Sequence, residues 1–133
     1  MHEMLNPGNW KRPSGYANAV VAQGRMVFVA GQVGWNPEKE TFETDKFHAQ
    51  VRQALANVRD ALAAAGASPV HLVRLTWYVT DKQRYLDELR EVGLAYRDII
   101  GKVFPAMSLV RVADLLEDRA LVEIEATAVV PDS

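Results

Sequence analysis

Residues 120–130 read ALVEIEATAVV. Small and β-branched apolar residues dominate the stretch, the composition of a β-strand. Strand side chains alternate faces with period two. Val122, Ile124, Ala126 and Ala128 therefore form one apolar row. Glu123 and Glu125 share the opposite face, roughly 6–7 Å apart along the chain. The apolar row suits a covering layer of helices. The glutamate row has two readings: a strand face that is solvated or ion-paired, or one side of a site.

Working outward, residues 107–112 form a preceding strand. Residues 82–100 read as a helix with an apolar stripe of Leu86, Leu89, Val92, Tyr96 and Ile99, ended by Gly101. Residues 72–79 (LVRLTWYV) are another strand. The clearest helix spans 45–65, where Val51, Leu55, Val58, Leu62 and Ala65 recur at steps of three or four and Gly66 stops the run. Residues 16–22 and 26–33 are strand-like and joined by Gln23-Gly24-Arg25, which predicts a hairpin. Residues 1–15 read as an extended arm. The order is β-β-α-β-α-β-β: a single α+β domain over residues 1–133, with two helices on one face of a sheet.

The strands are apolar on both faces. Met26, Phe28 and Ala30 point one way and Val27, Val29 and Gly31 the other. In the third strand Leu72 and Tyr78 oppose Val73, Leu75, Trp77 and Val79. An apolar sheet face left uncovered needs a partner, so the second face is expected to meet further copies of the chain.

Composition narrows the function. The chain has no cysteine, which removes disulfide and thiol chemistry. The opening MHEMLNPGNWKRPSG lacks a basic start followed by an apolar run, so no signal peptide is expected. No apolar run approaches the roughly 18 residues of a membrane helix. The expected location is the cytoplasm, with no membrane partner. Net charge is −2, from 15 basic and 17 acidic residues. The basic residues are scattered, so a nucleic-acid partner is not expected. His2, His48 and His71 show no pairing that suits a metal or a catalytic triad. Trp35, Trp77 and Tyr78 are expected to pack in the core or at an interface.

Three stretches together resemble the Rid/YjgF family, the reactive-intermediate imine deaminases. They are SGYANAVVAQGRMVFVAGQVGWNPE, AQVRQALANVRDALAAAG and FPAMSLVRVADLL followed by ALVEIEATAVV. The resemblance covers residues 13–131. It implies a chorismate-mutase-like fold, a homotrimer, and small-molecule clefts between subunits. It also implies hydrolysis of imine or enamine intermediates to ketoacids and ammonia, without metal or organic cofactor.

The family's site maps onto this chain only in part. Tyr16 matches the cleft tyrosine, here after Gly15 rather than a proline. Gly31 matches the strand-end glycine, preceded by Ala30 where serine is frequent. Glu123 matches the glutamate that helps to activate water, and Glu125 is a second carboxylate on the same face. Deaminating members carry an arginine at the position of Met107, a bidentate clamp for the substrate carboxylate. Methionine offers neither charge nor donor. Arg111, four residues further on, shares its face and could reach a ligand or a glutamate, or form an interfacial ion pair. The second helix is longer than in typical deaminases, and an asparagine expected near Gly93 is missing. The resemblance thus implies a divergent member with an altered substrate range. The other readings are a module that binds a small ligand or a protein without turnover, and the endoribonuclease or translation-inhibiting activity attached to some members.

Overall fold

The computed structural model describes residues 2–132. Its strands are β1 (Glu3–Leu5), β2 (Ala19–Val21), β3 (Arg25–Val33), β4 (Leu72–Val79), β5 (Ala106–Arg111) and β6 (Val122–Val130). Its helices are α1 (Phe47–Ala64), α2 (Lys82–Asp87) and α3 (Leu89–Ile99), with a 3₁₀ turn at Pro69–His71. The main sheet runs β3-β6-β4-β5. β6 is antiparallel to both neighbours, and β4 and β5 are parallel. A parallel pair needs a crossover, and α2 and α3 supply it. The domain is α+β, as the order of elements predicted.

The period-3.6 stripe of α1 packs on the sheet. Val51, Leu55, Val58 and Leu62 are completely buried. They meet the predicted row of β6, where Val122, Ile124 and Ala128 are also fully buried. The opposite face of the sheet is bare in one chain: Met26 is 56% and Phe28 73% exposed.

Three expectations are corrected. First, residues 16–22 and 26–33 do not form a hairpin. β2 pairs instead with β1, through Glu3–Val21, Met4–Val20 and Leu5–Ala19. The extended arm thus contributes a strand. β3 turns away to pair with β6 from Arg25–Val130 onward. Gly24 makes this possible: at φ +146° it lies where a Cβ would come within 2.1 Å of the Val130 carbonyl oxygen.

Second, Leu72 does not share a face with Tyr78. The register between β4 and β6 shifts between Leu72 and Arg74, which turns Leu72 onto the core face with Leu75, Trp77 and Val79. Third, the long second helix is two helices. They meet at Glu88, whose φ −116° and ψ 25° leave the helical region. Its carboxylate accepts a hydrogen bond from the His48 backbone N–H at 3.2 Å and lies 2.7 Å from His48 Nδ1. The break rotates the stripe: Val92, Ala95 and Tyr96 are buried, while Leu86 and Leu89 are about half exposed.

Gln50 joins the layers. It is fully buried, and its side chain uses both ends. Nε2 donates to the carbonyls of Thr44 and Arg119, both at 3.0 Å, and Oε1 accepts from the Leu121 N–H at 2.8 Å. These bonds tie the approach to α1 to the first residues of β6. Gly34 lies against the same residue, where a Cβ would come within 2.4 Å of the Gln50 carbonyl oxygen.

Two stability predictions follow from these contacts. Gln50→Leu keeps the volume but strands three polar groups. It should destabilise the fold by about 2–4 kcal/mol, read as a lower urea midpoint at unchanged slope. For Glu88, burial opposes ionisation, but the hydrogen bonds and charge from His48 outweigh it and hold the carboxyl below its ordinary value of 4.5. A depressed folded-state pKa contributes stability above the unfolded pKa and loses it as pH falls through the folded value. Glu88→Gln should therefore destabilise at neutral pH, and its gap from wild type should narrow as pH falls below the ordinary carboxyl value of 4.5, as followed by thermal melts across pH.

Candidate functional site

The glutamates of β6 lie on the bare face, as the alternation predicted. Their surroundings differ. Glu125 is exposed and accepts a 2.7 Å hydrogen bond from the Tyr78 hydroxyl. This bond, then desolvation and the two nearby carboxylates, raises the Tyr78 phenol above its ordinary value. The Glu123 carboxylate receives no such bond and folds across β3 instead. The β3–β6 register moves from Val29–Ala126 to Gln32–Ile124, so Ala30 and Gly31 together stand opposite Glu125. This β-bulge corrects the expected alternation, which set Gly31 opposite Ala30 with Val27 and Val29: the extra residue leaves the backbone of Gly31 on the bare face, beneath the Glu123 side chain. A Cβ on Gly31 would lie 2.1 Å from Oε2 and 2.8 Å from Cδ of Glu123. Any side chain at position 31 would evict the carboxylate. Beside it, the carbonyl of Ala30 accepts from Gln32 Nε2 at 3.1 Å.

Tyr16 and Met107 lie on the other side of the sheet. Met107 pairs in parallel register with Leu75, a core residue, so its side chain is on the helix-facing side. Tyr16 is brought there by its neighbour: the Ala17 N–H donates to the Pro105 carbonyl at 3.0 Å, and Ala17 bridges to Ala106. Both residues line a pocket of about 650 Å³ between β5, α2, α3 and the segment after α3, a size common for ligand sites. Its wall is an aromatic ladder. Trp77 stacks on Tyr96 at 6.3 Å between ring centroids, and Tyr96 on Phe104 at 5.9 Å. The Tyr96 hydroxyl donates to the Val103 carbonyl, and burial raises its pKa. The Trp77 indole N–H is buried without an acceptor among the described residues.

Three further residues line the pocket: Arg97 and Lys102, which the sequence reading of the site did not name, and Gly93, near which it noted a missing asparagine. Arg97 and Lys102 are exposed and take part in no ion pair among the described residues. Gly93 sits inside α3, where glycine costs roughly 1 kcal/mol relative to alanine. A Cβ there would meet nothing within 4 Å.

The sequence-derived residues thus fall into two groups. Glu123, Gly31 and Ala30 meet on the bare face. Tyr16 and Met107 meet at the pocket, on the opposite side and across β4. Arg111 joins neither: it pairs in register with Val79 at the end of β5, exposed, on the face of Met107 rather than of the glutamates. The missing asparagine near Gly93 was the sequence signal that falls on the pocket. Among the described residues no group of three or more His, Cys, Asp or Glu could hold a metal. Among the same residues, no helix is long and apolar enough to cross a membrane.

Comparison with known proteins agrees with this architecture. The family model described as Endoribonuclease L-PSP matches residues 10–130. The 2-iminobutanoate/2-iminopropanoate deaminase of Escherichia coli is 36% identical over 109 residues, 80% of each chain. A RutC family protein of Pyrococcus horikoshii is 30% identical over 128 residues, 96% of this chain and 98% of that one. Among solved structures, a Rid-family protein of unknown function from Yersinia pestis superposes with a TM-score of 0.84 at 34% identity, covering 97% of this chain and 98% of its own. A matching family model over nearly the whole chain, relatives at 30% and 36% identity and this superposition agree: the chain belongs to the Rid/YjgF family.

Proposed function

We propose that the chain forms a homotrimer whose clefts, built between subunits, hydrolyse an imine or enamine of a small metabolite to the carbonyl compound and ammonia. The observation that carries this reading is the Glu123 carboxylate, laid over Gly31 and left without the tyrosine partner that occupies Glu125. Glu123 accepts a proton from water as the water oxygen bonds to the imine carbon. With the imine protonated on nitrogen, the adduct is a neutral carbinolamine; the proton passes from Glu123 to its nitrogen, and as the C–N bond breaks the hydroxyl proton moves to the Glu123 carboxylate, leaving the carbonyl compound and ammonia. An enamine enters by the same route after protonation on carbon. Tyr16 positions the substrate, and backbone groups around Ala30 and Gly31 meet its polar end. No metal or cofactor takes part.

One chain holds the two groups of residues on opposite faces of its sheet. A cleft that contains both draws Glu123, Gly31 and Ala30 from one subunit and Tyr16 and Met107 from its neighbour. The bare apolar face of β3, with Met26 and Phe28, supplies the surface such an assembly buries. Met107 sets the substrate range. Without a guanidinium, the cleft loses its bidentate hold on a carboxylate next to the imine. The same residue favours a second reading, in which the cleft binds a small ligand or a protein without turnover.

Two variants test the proposal in a deaminase assay. The assay supplies 2-aminoacrylate-type and longer imino acids from an upstream amino-acid oxidase or dehydratase, and measures their removal against semicarbazide trapping. Glu123→Gln should lower turnover by at least about 100-fold and leave the oligomer unchanged by light scattering. Loss of the oligomer together with activity would assign Glu123 to structure. Met107→Arg should raise kcat/KM on simple 2-imino acids by about 10- to 100-fold, the worth of a charged hydrogen-bond pair. No gain in a well-folded variant would contradict the placement of Met107 in the cleft.

A further inference from the structure

We infer that the pocket beside Tyr16 and Met107 takes an aromatic monoanion, with its ring against the Trp77–Tyr96–Phe104 ladder and its negative charge at Arg97 and Lys102. The inference rests on the proposed function only in making this ligand the substrate; the binding itself stands apart from turnover.

Three observations meet here. The first is charge. Arg97 and Lys102 are the charged residues that line the pocket, and no acidic residue does. Neither cation has an ion-pair partner among the described residues. A pocket with free cations and no carboxylate selects an anion. The second is shape. The ladder sets rings in near-parallel stacking, 27° and 12° between planes, and offers a flat ring an offset-stacked place. A volume of about 650 Å³ holds such a ring with a short side chain.

The third is Gly93. Glycine inside a helix weakens it and is normally explained by a positive φ or a close neighbour. Gly93 has neither: it lies within α3, and a Cβ would meet open space. What its missing side chain leaves is room in the pocket it lines. The anion-holding role that Met107 cannot perform is thereby carried by α3 and the segment that follows it, not by β5.

Titration calorimetry on the full chain tests this with three probes: 3-phenylpropanoate, 3-phenylpropanol and propanoate. The expected order is 3-phenylpropanoate at least tenfold tighter than the alcohol, which lacks the charge, and than propanoate, which lacks the ring. Gly93→Leu fills the pocket while improving helix propensity, so it should fold at least as stably and lose the 3-phenylpropanoate affinity. The double variant Arg97→Gln, Lys102→Gln should bring acid and alcohol to equal affinity. Equal binding of acid and alcohol to the wild type, no binding of 3-phenylpropanoate, or unchanged binding by a folded Gly93→Leu would each overturn the inference. Failure of the hydrolytic reading looks different: 3-phenylpropanoate binds as described and no imino acid is turned over. Conversely, hydrolysis of small imino acids without 3-phenylpropanoate binding would keep the function and remove this ligand.

Discussion

The fixed register of β6 is the constraint on which the rest depends, and Gln50 sets where that strand begins. A side chain with no solvent contact must satisfy its own polar atoms. Gln50 does so on the carbonyls of Thr44 and Arg119 and on the N–H of Leu121. A slip of one residue in β6 would turn Val122 and Ile124 outward and bury both glutamates. Desolvating two carboxylates without partners is far more costly than any gain from alternative packing. The anchor at Leu121 and the apolar row therefore agree on one register. That register hands Glu123 to the bare face.

Once β6 is fixed, β3 must place a small backbone under Glu123. The bulge at Ala30 and Gly31 does this and sets Val33 opposite Glu123. Tyr78 then separates two otherwise similar carboxylates by engaging Glu125 alone. The chemistry proposed for the cleft follows from this asymmetry: one carboxylate is held, the other is open. On the far side of the sheet, the break at Glu88 swings α3 so that Leu89, Gly93 and Arg97 line a pocket rather than continue the core stripe. The face with the open carboxylate and the face with the pocket belong to one chain but not to one cavity. The proposed assembly would join them in one site.

Much of this was legible in residue order. Period two in residues 120–130 gave the outward glutamates, and period 3.6 in residues 51–62 gave α1 and its buried face. β4 was read with its bounds intact. What could not be read was set by long-range pairing. A Gly turn between two strand-like runs predicts a hairpin, but β2 found β1, and β3 found β6, because strand partners are chosen by tertiary packing. The face of Leu72 was lost to a register shift that leaves no mark in composition. Glu88 broke a continuous helical pattern because its carboxylate bonds to His48, forty residues earlier. The positions of Tyr16, Gly31, Met107 and Glu123 came from resemblance. The pocket wall of Trp77, Tyr96 and Phe104 did not, since three aromatics far apart in sequence announce a core as readily as a site.

The central claim is that Glu123 of one subunit works with Tyr16 and Met107 of the next. Subunit mixing tests it most directly. Glu123→Gln and Tyr16→Ala chains, each inactive alone, would be unfolded together at equal amounts, refolded and assayed for imine hydrolysis. In a trimer with shared clefts, random mixing restores both intact halves in roughly a quarter of the clefts. The account predicts activity at about that fraction of wild type. A mixture that stays as inactive as its parents, in trimers shown to be mixed, would contradict it and confine each site to a single chain.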